Sequence, residues 1–414
     1  MRRKATLAIT LAAAMAATAV PAIADDKVSI TIFNSKMEIQ SQFEEMAEKY
    51  AEDNGINVEV YYTNDTVSAH LATKYSSGDP YTLAMVDAKD IYSLAKDHAI
   101  DMSDQEWVKN TNYAIGIDDQ INGFPMSVEA RGLIYNADAI EAITGETFNP
   151  ELDSFKELIE QLKEGGMETP TGIMKEDWSL GGHFLSQVSE EQPDVEEFIT
   201  KLHEGEADLI NNEKFNSLMD FFDVMKENNY AKDSAIAAER EVTEMMLAEG
   251  EIAFMYGGNW DWSVINAYDY TENMGMMPIP QNTDDGTNEK LVGGGSKYFM
   301  IDSSDTTTDE QRQAALDFLE WLADSEEGQK FITEDCALVP AFTNNENEVA
   351  DPLGKSVKKY ADEGAMIDNY NYMPDDHISL CGAIFQKYLA GQMDRAEFAT
   401  EIEDYWKSTD VVEH

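Results

Sequence analysis

Cationic residues, cysteine and long apolar runs are all scarce in this chain. Its 414 residues hold 29 Lys+Arg against 81 Asp+Glu, a formal net charge of −52 at pH 7. So negative a surface repels phosphate backbones and anionic lipid heads, which argues against nucleic-acid or membrane partners. It also disfavours a strongly anionic ligand unless a local cationic pocket receives it. High solubility, or a salty medium, accounts for the charge without any partner. The six histidines are scattered, with no His-Glu-x-x-His, Cys-x-x-Cys or Gly-x-Ser-x-Gly. Residues 284–289, DDGTNE, lack EF-hand spacing, and the glycines at 293–295 lack the phosphate-loop pattern. No metal and no cofactor is expected. Carboxylate pairs for glycoside hydrolysis cannot be judged by counting, because 81 acids make chance pairs common.

The amino terminus reads as an address. Arg2, Arg3 and Lys4 precede an apolar, alanine-rich run over 5–20, and Ala22-Ile23-Ala24 fits a small-x-small cleavage site. Residues 1–24 are therefore expected to be a signal peptide, with Asp25 the mature start. No later run approaches the roughly 18–20 continuous apolar residues of a membrane span. A lipoprotein would need a cysteine at the cleavage site, and there is none. The expected location is periplasmic or extracellular, without a lipid anchor or membrane span. The two cysteines, Cys336 and Cys381, could pair in an oxidising compartment, a point the sequence leaves open.

The first hundred residues alternate strand and helix. Runs 28–33, 58–62 and 83–86 read as strands. Between and after them lie helices, the first with Phe43, Met46, Ala47 and Tyr50 on one face. That order predicts a parallel sheet with crossover helices. Ligands sit outside the carboxyl ends of such strands, which nominates Asn34 to Lys36, Asn64 with Asp65, and Asp87. Helix caps and turns use the same residue types; Lys36 and Asp87 are the foremost candidates.

Residues 122–138, NGFPMSVEARGLIYNAD, pass from a Gly-Phe-Pro turn through a polar run containing Glu129 and Arg131. A strand, Leu133-Ile134-Tyr135, and an Asn-Ala-Asp helix start follow. The pattern predicts a chain that leaves one sheet, crosses an open segment and enters another, although an edge loop would look similar. Farther on, 252–256 reads as a buried strand. Gly257-Gly258 would turn its backbone sharply, and Asn259, Trp260, Asp261 and Trp262 stand at its exit. Two of the chain's six tryptophans beside two glycines favour a site over a core position. Trp178 opens another predicted helix. Thr308 with Gln311 forms a capping box, and Asp394 caps a final helix bearing Phe398, Ile402, Tyr405 and Trp406.

These landmarks resemble, in order and over most of the mature chain, the family 1 extracellular solute-binding proteins of ABC importers, which include maltose-binding protein. The resemblance rests on Pro125, Val128-Glu129-Ala130 and Ile134-Tyr135-Asn136, on the glycine-then-tryptophan strand exit, and on Ala315-x-x-Phe318-Leu319, Glu327-Gly328-Gln329 and Val339-Pro340. It implies an α/β, two-lobed periplasmic-binding-protein fold, type II-like. Each lobe would be a mainly parallel sheet flanked by helices, with the ligand cleft between them. The segments would be 25–128 and 294–340 for one lobe, 129–293 and 341–414 for the other, with hinges near 127–129, 292–296 and 340–342. The implied ligand is a carbohydrate, an oligosaccharide, handed by a monomer to the permease subunits of an ABC transporter. Its implied contacts are Lys36, Asp65, Asp87, Glu129, Arg131, Trp178, Trp260, Gly294 and Ser296. Trp260 would stack on a pyranose ring and Glu129 would accept from hydroxyls. Arg131 would orient Glu129 or form a surface ion pair. Two places depart from the family pattern. Tyr81 replaces an aspartate before the third strand. His377-Ile378-Ser379 replaces aromatic sugar contacts, for which Tyr370 or Tyr372 would compensate. A binding protein for a polyol or glycerol phosphoester, or a secreted carbohydrate-active enzyme, is the alternative.

Overall fold

The computed structural model describes residues 27–412 apart from 64, 152, 153, 282 and 284. The leader expected at 1–24 and the candidate Asn64 lie outside the described residues. Strands β1 (Ser29–Asn34), β2 (Asn57–Tyr61) and β3 (Leu83–Asp87) are parallel neighbours in the order β2-β1-β3. Ile30, Ile32, Phe33, Leu83, Met85 and Val86 are fully buried, as in a sheet covered on both faces. Helix Gln40–Asn54 makes the first crossover and buries the expected Phe43, Met46, Ala47 and Tyr50. It ends at Gly55, whose φ of +68° is the left-handed cap that glycine supplies. Tyr81 turns inward, stacking on Phe33 at 5.3 Å with its hydroxyl 3.0 Å from His70 Nε2. Its role is packing.

β4 (Phe124–Pro125) is the far edge of this first sheet, where the missing N–H of Pro125 is tolerated. A single residue, Met126, separates it from β5 (Ser127–Asn136) in the second sheet. The expected open segment is absent, since Glu129 and Arg131 lie inside β5. Strand alternation explains how polar residues fit there. Val128, Ala130 and Ile134 enter one apolar core, while Glu129 and Arg131 share the opposite face with Leu133. Asn136 then caps helix Ala137–Thr144 by accepting from Ala139 N–H at 3.0 Å, as expected.

β6 (Thr171–Gly172), β7 (Phe254–Gly258), β8 (Met274–Met277) and β9 (Leu291–Gly295) belong to the second sheet. β10 (Lys297–Ile301) returns to the first, antiparallel between β3 and β4. β11 (Val339–Pro340) and β12 (Met366–Ile367) complete the second sheet. Around β5 the pairing is antiparallel, to β7, β8, β9 and β11. The second sheet thus departs from the mainly parallel pattern expected, because β5 enters it from the other sheet and its neighbours run against it.

One apolar core spans Phe43, Phe299, Val128, Ile134 and Met276, tying the first sheet to β5 and beyond. A second gathers Leu133, Phe184, Phe222, Phe385 and Trp406. Cys336 is buried in the first and Cys381 in the second, both free, so they do not pair. Helix Arg395–Ser408 carries the expected Asp394 cap, reciprocated by Glu397, and buries Phe398, Ile402, Tyr405 and Trp406. Helix His377–Leu389 turns Cys381, Phe385, Tyr388 and Leu389 inward but leaves Leu380 exposed. Gln281, just past β8, is buried, and its Nε2 donates to Glu191 at 2.8 and 2.9 Å.

Candidate ligand-binding site

The passages between the two sheets bring charged side chains from distant parts of the chain together. Lys36, just past β1, donates to Glu129 Oε1 of β5 at 2.7 Å and to Glu38 Oε1 at 2.9 Å. Asn34 holds this turn, its Oδ1 accepting from Lys36 N–H at 2.8 Å. Ser296, the residue between β9 and β10, donates from its hydroxyl to Glu129 Oε2. Lys297 Nζ pairs with Asp87 Oδ1, 2.5 Å away at the carboxyl end of β3. Burial would raise the Glu129 carboxyl, but the Lys36 charge, with hydrogen bonds from Lys36 and Ser296, holds it below its ordinary range. Burial likewise works against charge on Lys297, and Asp87 overcomes it, leaving the ammonium pKa raised. This floor is ionised, with each cation matched to a carboxylate.

Beside it, at the carboxyl end of β7, stands an aromatic wall. Gly257 and Gly258 are extended members of β7, opposite Gly132 and Arg131, and make no sharp turn. Their value is space. A Cβ on Gly258 would meet the Trp260 ring at 2.3 Å, and one on Gly257 would meet Asp261 Oδ2 at 2.1 Å. Asp261 anchors the turn, Oδ2 accepting from Gly258 N–H at 2.9 Å and Oδ1 from Arg240 Nη2 at 2.8 Å. Asn259 Oδ1 accepts from Ala130 N–H at 3.0 Å, tying the turn to β5. Trp260 is half-buried, and Trp178 stands nearly perpendicular to it, centroids 6.4 Å apart. His183 fills the angle between them, 4.9 Å from Trp260 and 5.4 Å from Trp178. Trp262, unlike Trp260, is buried in the core.

Arg131 is not a surface residue. It is buried, donating to Glu190, and through Nη1 to Asn369 Oδ1 at 2.6 Å. Gly294 lies opposite Glu129 in the ladder, and a Cβ there would meet Asn369 Nδ2 at an ordinary contact distance of 3.8 Å. Asp65 is exposed on the loop after edge strand β2, where its N–H donates to Thr63 Oγ1, and it joins neither floor nor wall. The structure thus brings Lys36, Asp87, Glu129, Ser296 and Gly294 to one junction, with Trp178 and Trp260 alongside. Sequence reasoning missed Lys297, Asn259, Glu190, Asn369 and His183. Lys297 had a usable signal in its position next to Ser296 at a strand start. His183 had none, because residues 178–184 wind as a π-helix, whose i→i+5 spacing brings positions 178 and 183 together.

Two α/β sheets joined by short passages, with a polar floor and an aromatic wall at the junction, are the build of a solute-capturing protein. Residues 45–362 match the model of bacterial extracellular solute-binding proteins. The chain belongs to that family, the solute-binding components of ABC importers. Its fold is similar to that of RafE from Streptococcus pneumoniae in the apo form, with TM-score 0.74, 18% identity, and coverage of 92% of this chain and 98% of that one. RafE in complex with raffinose gives TM-score 0.75 and 17% identity, covering 92% and 99%. A sugar transporter protein from Bacillus licheniformis in complex with stachyose gives 0.67 and 17%, also covering 92% and 99%. No curated protein matches the chain by sequence. Among the described residues no helix is long and apolar enough to cross a membrane, and no group of three or more His, Cys, Asp or Glu is placed to hold a metal.

Proposed function

We propose that this protein captures an uncharged oligosaccharide between its lobes and delivers it to the permease subunits of an ABC importer. The observation that carries this reading is the Trp178–Trp260 wall standing beside a floor whose cations are already matched. A sugar ring has apolar C–H faces that suit an indole, and a hydroxyl rim that needs directional donors and acceptors. Glu129 and Ser296 supply acceptors, and Trp260 the stacking surface. Lys36 pairs with Glu129, Lys297 with Asp87 and Arg131 with Glu190, which counts against a phosphoester ligand, since that would need an uncommitted cation. Raffinose and stachyose in the similar structures support the sugar class.

Hinges near 127–129 and 292–296 draw support from the passages between β4 and β5 and between β9 and β10. Ligand bridging both lobes would favour the closed population, which a permease can distinguish from the open one. The protein acts as a monomer outside the cytoplasm after loss of residues 1–24. A thermal-shift screen of Asp25–His414 against mono- and oligosaccharides tests the reading. A sugar at 100 times its Kd adds about 2.7 kcal/mol to the native state, a readily seen rise in Tm. No shift with any sugar, alongside a shift with a charged solute, contradicts it.

A further inference from the structure

We propose that His183 is a ligand-contacting residue, set between the tryptophan wall and strand β5 to exchange hydrogen bonds with ligand hydroxyls. This inference rests on the carbohydrate reading above.

Three observations lead to it. The first is orientation. The π-helical segment Trp178–Phe184 is pressed by its glycines onto helix His377–Leu389: a Cβ on Gly181 would lie 2.4 Å from Gly382 N, and one on Gly182 would lie 3.1 Å from the Ile378 side chain. That packing fixes one side of the segment, and the His183 ring stands on the wall side, between Trp178 and Trp260. The second is its unused bonding capacity. Neither ring nitrogen has a hydrogen-bond partner among the described residues, and the side chain is half-buried. His377, by contrast, is buried against Tyr405 and Trp406 and has a structural place.

The third observation is electrostatic. Burial, then the Arg131 charge, outweigh the opposing pull of Glu129 and push the imidazole down to about 3. A neutral ring offers one donor and one acceptor, so it can both give to and take from adjacent hydroxyls. It adds no charge to the matched floor, and a polar atom between two indole rings gives direction to a contact that stacking leaves loose.

The test compares His183→Phe and His183→Gln with the parent protein Asp25–His414, using calorimetry and thermal shift with raffinose, stachyose and chitin oligosaccharide as probes. Phenylalanine keeps the packing and removes the hydrogen bonds; glutamine keeps a donor and an acceptor. The expected result is about tenfold weaker binding for His183→Phe, with His183→Gln clearly tighter than His183→Phe, and the unliganded Tm unchanged in both. Equal affinity in all three proteins overturns the role of His183 and leaves sugar capture standing. Failure of the parent to bind any of the probes, or any other sugar, overturns the carbohydrate reading and this inference with it. If His183→Phe lowers the unliganded Tm, imidazole 15N resonances of the parent decide. Saturating sugar must shift the signal missing from the His183→Gln spectrum, and an unmoved signal overturns the proposal.

Discussion

Arg131 shows how far a residue's neighbours change its meaning. In the sequence it is one of 29 Lys+Arg, two positions from Glu129 and a candidate for the ligand. In the fold it is buried with Glu190, and Tyr370 N–H also donates to Glu190 Oε1 at 3.0 Å. Removing one partner of a buried pair strands the other charge, typically at a cost of about 3–5 kcal/mol. Arg131→Ala is therefore expected to destabilise the protein by about that amount in urea unfolding. A loss below about 1 kcal/mol would mean that water reaches Glu190 and the pair is not structural. Lys36 and Asp87 lie at the strand ends where the rule for open α/β sheets placed candidates. Their partners Glu129 and Lys297 come from strands far along the chain, and no local pattern joins them.

At the scale of the element, the exit of β7 rests on two acids and one arginine. Asp261 and Glu244 are both fully buried, and Arg240 Nη2 reaches Asp261 at 2.8 Å and Glu244 at 2.9 Å. Burial, then the neighbouring Asp261 charge, push the Glu244 carboxyl up to about 9. A carboxyl raised in the folded state keeps a proton that the unfolded chain gives up. Its contribution therefore falls as pH climbs from the ordinary carboxylate range near 4.5 toward about 9, and levels off above that. Glu244→Gln carries the proton's hydrogen-bonding permanently. It should flatten this part of the Tm profile, gaining on the parent between pH 5 and 9. A parallel pair of profiles would show that the two acids share no proton.

Elements were legible wherever local chemistry fixes them. The crossover helices, the Thr308 and Asp394 capping boxes and the Asn136 cap stand as their residues predict. Glu129 and Arg131 suggested an open segment because a polar pair in a strand needs partners the sequence does not reveal; Lys36 and Glu190 are 93 and 59 positions away from them. Gly257 and Gly258 read as a turn for a similar reason, since room for the Trp260 ring looks the same in sequence as backbone freedom. The two helices Arg240–Ala248 and Pro352–Asp362 went unread.

For the whole molecule, excess negative charge and a charge-matched site belong together. A chain at −52 would repel anions from any cleft lacking a compensating cation, and the junction keeps its cations paired with its own acids. On the proposed reading the solute is uncharged and hydroxyl-rich, and the tryptophan wall would favour one with an apolar face. The measurement that tests this most directly is calorimetric titration of Asp25–His414 and Trp260→Ala with the neutral oligosaccharide that gives the largest thermal shift. The account predicts saturable one-to-one binding to the parent and a loss of at least tenfold in the variant, with its unliganded Tm preserved. Equal affinity in the two proteins would contradict it, taking Trp260 out of the site and the aromatic wall out of the explanation.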